Sequence, residues 1–234
     1  MAYNWPMTAD RYSPATFFEL HDCLFADLFS TVRFVWEILP RIGDYLAATL
    51  HPAIMGTVLE GAYLEGPIYI GPGTVVEPGA YIKGPAWIGP DCEIRQAAYL
   101  RGNVLVGRHS VIGHATEVKN SILLDHAGAA HFNYVGDSIL GNHVNLGAGT
   151  RLANLKNTPG EIVVKDGGQE IHTGLRKFGA ILGDGAKTGC NAVTNPGTVL
   201  GRGAVVYPCL SVRGVFPAGA VVKPRDLYTV ELKP

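Results

Sequence analysis

Residues 57–128 read TVLEGAYLEGPIYIGPGTVVEPGAYIKGPAWIGPDCEIRQAAYLRGNVLVGRHSVIGHATEVKNSILLDHAG and carry a period of six. Every sixth residue from Val58 to Leu124 is Ile, Leu or Val, over twelve consecutive positions. The residue two places earlier is usually small, and the residue one place later is Gly or charged in eleven of the twelve cases. A hexad repeat of this kind predicts a parallel β-helix whose coils stack along one axis.

The period also predicts the shape of each coil. One hexad supplies a short strand and a turn, so three hexads close a triangular coil of about eighteen residues. Strands of successive coils then pair at about 4.8 Å. Because hexad repeats resemble left-handed β-helices, we predict a mainly β protein built on a left-handed parallel β-helix. Its predicted parts are an N-terminal helical cap at 1–50, the β-helix at 51–222 and a C-terminal arm at 223–234.

Composition limits the classes of partner and compartment. The 234 residues carry a formal net charge of −1, which gives no basic surplus for binding nucleic acid. The four cysteines show no spacing typical of a metal site or a disulfide framework. The first residues lack the basic and apolar pattern of a signal peptide, and no apolar run reaches about 18 residues. We therefore expect a cytoplasmic protein with no nucleic-acid partner and no membrane association.

The N-terminal region has helical rather than hexad periodicity. Ser13 and Pro14 form a cap followed by a first-turn proline, which favours a helix start. Apolar residues then recur at spacings of three and four as far as Leu39. Pro40 should end or kink that helix, and 42–50 predicts another short one. Such a segment either binds a partner or covers the end or side of its own β-helix, and we expect the second.

The period of six is interrupted twice. After Leu124 the next inward positions are predicted at Tyr134, Leu140, Leu146 and Leu152, so one hexad is longer by four residues. We expect the extra residues, in the run HAGAAHFNY, to form an outward excursion at 125–133. A second excursion is predicted at 155–178, where EIVVKDGGQEIH favours a hairpin turning at 166–168. Excursions of this kind carry function more often than the coils that present them.

Two cations occupy equivalent positions in the repeat. Arg101 and Lys119 are eighteen residues apart, so they are predicted to lie one coil apart, with Lys83 one coil below Arg101. A column of two or three cations suits an anion, phosphate above all. Charges are also common at solvated corners of a β-helix, so the spacing alone leaves both interpretations open.

His131 lies in the first predicted excursion, within a sequence that resembles a known family. The runs EVKNSILL, HFNYVGDSILGNHVNLGAGT and KFGAILGDGAKTGC, with Asn154, are similar to the acetyltransferase half of the bifunctional bacterial enzyme that makes UDP-N-acetylglucosamine, and to its archaeal relatives. The similarity covers roughly 101–208. It implies a homotrimer that transfers an acetyl group from acetyl-CoA, as co-substrate, to the amine of an amino-sugar 1-phosphate, with no metal required.

The resemblance also implies roles for single residues. The family's phosphate-binding arginine and lysine fall on Arg101 and Lys119, the pair that the spacing had indicated independently. Its general base falls on His131, and Glu117 could orient the imidazole. The amino-sugar pocket would use Tyr134, Asn145 and Asn154, the last counted with the catalytic residues, and Lys177 from a neighbouring subunit. The donor would be bound by Ala148, through a backbone amide, and by Gly189, Cys190 and Pro208.

This sequence departs from the family pattern at several positions. Leu155 replaces an aromatic residue, Cys190 replaces a serine, and Pro208 replaces a small residue. The hairpin before Lys177 is an insertion. No Gly-rich nucleotide loop with a following basic residue precedes the repeats, so we expect any nucleotidyl transfer to belong to a separate partner.

Two other functions remain compatible with the sequence. His109 and His114 are five residues apart, as are His126 and His131, and γ-class carbonic anhydrases bind zinc through histidines on this fold. Zinc needs three protein ligands and an open position, and the surrounding segments do not resemble that class. The chain could also be a non-catalytic, trimeric scaffold that binds sugar nucleotides.

Overall fold

The computed structural model describes residues 9–224. Within them, three parallel sheets of nine, nine and eight strands form the sides of a β-helix, and a two-stranded antiparallel hairpin forms a fourth, separate sheet. The predicted arm at 223–234 lies largely outside the described residues, as do the first eight residues of the predicted N-terminal cap.

Each complete coil contributes one strand to each sheet, in a constant order. Sheet A consists of Ala53–Ile54, Ile68–Ile70, Ala86–Ile88, Val104–Val106, Ser121–Leu123, Ile139–Leu140, Ala180–Leu182, Thr198–Leu200 and Val215–Phe216. Sheet B consists of Thr57–Val58, Val75–Val76, Glu93–Ile94, Val111–His114, Gly128–His131, Asn145–Leu146, Lys187–Thr188, Val205–Val206 and Val221–Val222. Sheet C consists of Tyr63–Glu65, Tyr81–Lys83, Tyr99–Arg101, Glu117–Lys119, Tyr134–Gly136, Arg151–Leu152, Val193–Thr194 and Ser211–Val212.

The aliphatic position of each hexad fills the axis of the β-helix. Ile70, Ile88 and Val106 are register partners on successive coils, and all three are fully buried. The small residue two places earlier lies at a corner, where a hydroxyl can bond to the neighbouring coil. Thr74 does this, since its Oγ1 donates to the Gly89 carbonyl at 2.6 Å and accepts from the Cys92 N–H at 2.9 Å.

The outward excursion predicted at 125–133 is wrong. Gly128–His131 is an ordinary strand of sheet B, with Ala129 paired to Ile112 and pointing into the core. The register is instead adjusted by two five-residue steps, from Val118 to Leu123 and from Val135 to Leu140.

The two short steps share one corner, between sheets C and A. Asn120 and Asp137 each turn this corner with positive φ, at 44° and 46°. Asn and Asp tolerate the left-handed region better than other non-glycine residues, so a single residue can make the turn. The inward residue is therefore Val135, and Tyr134 faces outward.

The N-terminal segment covers one side of the β-helix. Instead of one long helix it forms short turns: 3₁₀-helices at Ala9–Tyr12 and Val35–Arg41, and α-helices at Pro14–Phe17, Ala26–Ser30 and Ile42–Thr49. Glu37 helps to begin a new helix because its carboxylate accepts the backbone N–H of Arg33 and of Phe34 at 3.0 and 3.1 Å. The apolar side chains of the segment pack on the outer face of sheet A, so this sheet is buried on both faces.

The second excursion leaves the β-helix at the same C–A corner, after Leu152, and returns at Ala180. Val163–Asp166 and Gln169–His172 pair antiparallel and turn at Gly167 and Gly168. Ile162, Val164 and Phe178 are buried against sheet A and the N-terminal segment. The excursion is therefore packed onto the coils, next to the outer face of sheet C.

Candidate functional site

The corner between sheets B and C carries His131. The residue pairs in register with His114, and its carbonyl accepts the N–H of Gly149 at 2.9 Å. One coil further, the carbonyl of Ala148 accepts from Asn191 at 2.8 Å, and on the next coil that of Cys190 accepts from Cys209 at 2.9 Å. This hydrogen-bond ladder places His131, Ala148 and Cys190 in one column, and Pro208 continues it.

The column is compact and open to solvent. His131 and Cys190 are exposed. A Cβ on Gly189 would overlap the backbone nitrogen of Pro208, so only glycine fits beneath the proline. The residues that the sequence assigned to the base and to the acetyl donor therefore share one corner.

The outer face of sheet C continues from this corner. Glu117, Tyr134 and Arg151 are register partners on three successive strands. Glu117 accepts a hydrogen bond from Arg101, with Nη1 and Oε1 2.6 Å apart. In the part of the chain that the structure describes, Glu117 makes no hydrogen bond to His131, so its carboxylate faces the arginine rather than the imidazole.

A buried carboxylate organises the far side of this face. Asp137 accepts from Lys119 Nζ at 2.8 Å, from Asn120 Nδ2 at 3.0 Å and from the Asn154 amide. Its side chain is 6% exposed, against 18% for Lys119. The sequence analysis missed Asp137, because an aspartate between Gly136 and Ser138 resembles any corner residue.

Tyr134 and Asn154 meet above Gly136. The hydroxyl of Tyr134 donates to Asn154 Oδ1 at 3.4 Å. A Cβ on Gly136 would lie 2.7 Å from the tyrosine oxygen and 2.8 Å from Asn154 Nδ2, so the missing side chain makes room for this pair. Burial raises the pKa of the Tyr134 hydroxyl, and the nearby carboxylates of Glu117 and Asp137 raise it further.

Each cation of the predicted phosphate column has a carboxylate partner. Arg101 pairs with Glu117, Lys119 with Asp137, and Lys83 with Glu65 at 3.6 Å. The side chain of Arg101 is 45% exposed, and exposed pairs contribute only about 0–1 kcal/mol. A phosphate can therefore displace Glu117 from Arg101 at low cost, whereas Lys119 is held more firmly by the buried Asp137.

Two further residues were predicted for the pocket, Asn145 and Lys177. Asn145 is on the outer face of sheet B, where it pairs with Gly128 and Lys187. Lys177 is exposed at the end of the second excursion, just before the buried Phe178. Asn145 is therefore not on the face that carries Tyr134, whereas Lys177 directly precedes a residue whose N–H donates to the Asn154 carbonyl at 3.0 Å.

The four histidines of the zinc alternative fall on two different corners. His109 and His126 stack with His143 at the A–B corner, with ring centroids 4.8 and 4.6 Å apart. His114 and His131 are at the B–C corner. Residues 9–224 contain no group of three or more His, Cys, Asp or Glu side chains arranged to hold a metal ion. Among the same residues, no helix has the length and apolar character needed to cross a bilayer.

Comparison with known proteins agrees with this architecture. Residues 82–220 match the family described as the GMPPB C-terminal domain. The chain is 33% identical to the bifunctional protein GlmU of Methanococcus maripaludis over 210 residues, which is 89% of this chain and 51% of that protein. It is 41% identical over 92 residues to the bifunctional sugar-1-phosphate nucleotidylyltransferase/acetyltransferase of Sulfurisphaera tokodaii, covering 39% of this chain and 23% of the relative.

A solved structure supports the fold. The UDP-N-acetylglucosamine acyltransferase of Francisella novicida superposes with a TM-score of 0.53 at 14% identity, over 73% of this chain and 64% of that one. At this identity the similarity concerns the left-handed β-helix alone. The chain spans about half or less of the length of the two relatives described above. Because the family match covers more than half of the chain, the protein belongs to the GMPPB C-terminal domain family, with a left-handed parallel β-helix similar to the acetyltransferase half of the GlmU proteins.

Proposed function

We propose that the protein is an acetyltransferase that moves an acetyl group from acetyl-CoA to the amine of an amino-sugar 1-phosphate, on the pathway to a sugar nucleotide such as UDP-N-acetylglucosamine. The observation that carries the proposal is the column at the B–C corner, which joins His131 to Ala148, Cys190 and Pro208 on successive coils. The face with Tyr134 and Asn154 begins three residues beyond His131 and would receive the sugar.

The proposed chemistry is one acyl transfer. The uncharged amine attacks the thioester carbonyl, and a tetrahedral intermediate forms with its negative charge on oxygen. His131 accepts the proton from the nitrogen. The intermediate then collapses, the C–S bond breaks, and the proton passes to the departing thiolate. An imidazole side chain can both accept and return a proton near neutral pH.

A backbone amide is free for the oxyanion. In the described part of the chain, the Ala148 N–H donates no hydrogen bond, although its carbonyl is paired. Ala148 occupies the column position one coil beyond His131, so this donor lies beside the proposed base. A preorganised N–H of this kind stabilises a tetrahedral intermediate where its charge develops.

The proposed active assembly is a closed homotrimer. Asn145 lies off the face of Tyr134 in one chain, and Asn145 and Lys177 would complete the amino-sugar pocket from a neighbouring copy. The flat sides of a β-helix suit such rotational packing. A cytoplasmic location and a separate nucleotidyltransferase partner belong to the same proposal.

The alternative is a non-catalytic scaffold that binds sugar nucleotides. It is kept because the pairing of Arg101 with Glu117 and of Lys119 with Asp137 leaves no net positive charge on these four side chains for the phosphate of an acceptor. A scaffold would have to bind the diphosphate of a sugar nucleotide elsewhere.

A thiol-release assay separates the two functions. Acetyl-CoA is incubated with the protein and a panel of amino sugars, their 1-phosphates and the corresponding nucleotide-linked sugars. The proposal predicts release of coenzyme A with an amino-sugar 1-phosphate and none with its N-acetylated form. Binding of sugar nucleotides without thiol release from any acceptor would favour the scaffold.

A further inference from the structure

The inserted excursion forms a groove with the coils of sheet C. The groove has a volume of about 540 Å³, in the range of small-molecule sites. The coils contribute Asn195 and Arg213, and the excursion contributes Lys156, Lys165 and Glu170. The excursion and the coils therefore form the groove together.

The groove begins beside the proposed acceptor site. Ala153 and Leu155 line it, and between them Asn154 turns its amide to Asp137. Leu152, Thr194 and Val212 are register partners on successive strands. Asn195 follows Thr194 and Arg213 follows Val212, so both occupy the position in the coil that Arg101 and Lys119 occupy in earlier coils. A ligand could therefore extend from Tyr134 into the groove without leaving this face.

The groove has an excess of positive charge in a chain whose net charge is −1. Three of its lining residues are cations, Lys156, Lys165 and Arg213, and Glu170 is its one acid. Lys165 and Glu170 form a pair at 2.7 Å, but both side chains are more than half exposed, so the pair is weak.

The other two cations have no carboxylate partner among residues 9–224. Lys156 donates to the Glu161 carbonyl at 2.5 Å and lies within the electrostatic influence of the Glu161 carboxylate, which itself binds His172 and the Gly174 N–H. Arg213 forms no ion pair there, although Glu170 lies within its electrostatic influence. Arg101 and Lys119, by contrast, are both neutralised.

We infer that this groove binds the diphosphate of a nucleotide. Two unpaired cations suit a ligand with two adjacent phosphates, and arginine can bind phosphate oxygens in a bidentate manner. Leu155 is 46% exposed and offers an apolar surface to a base. The inference rests on the proposed function and deepens it, because a diphosphate in the groove would belong either to a nucleotide-linked acceptor or to coenzyme A.

Isothermal titration calorimetry at low salt tests this with two ligands. UDP represents the sugar nucleotide, coenzyme A represents the donor, and inorganic phosphate and UMP are the comparisons. Arg213→Gln and Lys156→Gln should each weaken binding of the diphosphate ligand at least ten-fold, a loss of about 1.4 kcal/mol or more, because each removes a charge-assisted hydrogen bond. Arg33→Gln, which removes an exposed cation from the N-terminal segment, should leave binding unchanged.

The outcomes distinguish the sources of the diphosphate. Weakening of UDP binding alone identifies a nucleotide-linked acceptor, and weakening of coenzyme A binding alone identifies the donor. Unchanged affinity of both ligands in both variants, or equally tight binding of inorganic phosphate and UDP to the wild type, would overturn the inference. Because calorimetry needs no turnover, a failure to bind a diphosphate in the groove can be told apart from a failure to transfer acetyl groups in the thiol-release assay.

Discussion

Lys119 and Asp137 form an ion pair of 2.8 Å on neighbouring coils, with the carboxylate almost fully enclosed. Asp137 also accepts hydrogen bonds from Asn120 and Asn154. One carboxylate therefore holds both Lys119, which is proposed to bind the phosphate, and Asn154, which is proposed to line the amino-sugar pocket. The positions of Lys119 and Asn154 therefore depend on a residue that contacts neither reacting group.

Asp137→Asn should disorder this cluster. Removal of one partner leaves the lysine charge uncompensated, and breaking a buried pair costs about 3–5 kcal/mol, less here because Lys119 is partly exposed. We expect a lower melting temperature and a KM for the acceptor raised about ten-fold, with the KM for acetyl-CoA unchanged. Circular dichroism and steady-state kinetics measure both effects.

Asp91→Asn is the matched control, because Asp91 also turns a corner with positive φ but is 54% exposed. It should change neither quantity. If Asp137→Asn kept the wild-type KM while losing stability, the role of Asp137 would be structural only.

Gly136→Ala should obstruct the acceptor pocket without unfolding the coil. The new methyl group would meet the ends of the Tyr134 and Asn154 side chains, which can move, rather than fixed backbone. We expect the KM for the acceptor to rise at least several-fold, while the KM for acetyl-CoA and the melting temperature change little. An unchanged KM for the acceptor would show that this pair does not contact the sugar.

The hexad period predicted most of the core, and Ile70, Ile88 and Val106 lie in the interior as expected. The period failed at Leu123 and Leu124. Sheet A is buried on both faces, so both leucines are buried: Leu123 packs in the core of the β-helix, and Leu124 packs against the N-terminal segment. Sequence alone could not tell which leucine points inward. The prediction that followed, with Tyr134 inward and residues 125–133 outside the coil, was therefore wrong.

The ion pairs of the cation column could not be predicted from the sequence either. The spacing of Arg101 and Lys119 predicted their column, and Lys83 pairs with Arg101 in register as expected. The spacing did not predict that Glu117 and Asp137 neutralise Arg101 and Lys119, because side-chain pairing between coils depends on the geometry of the coils. Asn145 was assigned to the same pocket as Tyr134, yet it is on a different sheet.

The stacked histidines should make folding stability depend on pH. Burial lowers the pKa of His126 from 6.5, and the charges of His143 and His109 lower it further, against the opposing effect of Asp125. The unfolded chain therefore binds more protons between the folded pKa and about 6.5. Stability should fall as pH drops through this window, and the penalty should be complete below the folded pKa.

His126→Asn should reduce that loss. Asparagine tolerates the positive φ of 59° at this corner and does not titrate. Thermal unfolding of both proteins at pH 5 and pH 8 should give a smaller pH-dependent shift in Tm for the variant, whereas His51→Asn, at an exposed position, should behave like the wild type. An identical shift in the His126 variant would show that the stack does not couple folding to protons.

The oligomeric state is a separate prediction. If Asn145 and Lys177 complete the pocket of a neighbouring subunit, light scattering should give the mass of three chains of 24.9 kDa each. Lys177→Ala should then lower activity without changing that mass. A stable monomer across working concentrations would exclude the shared pocket.

The most direct measurement is kcat for acetyl transfer by His131→Ala. General base catalysis contributes about 10²–10⁴-fold, so kcat should fall by that factor, while the trimer, both KM values and the melting temperature remain close to wild type, because His131 is exposed at a corner. His114→Ala, one coil below, is the control and should retain its kcat. Wild-type acetyl transfer by His131→Ala would contradict the proposed mechanism.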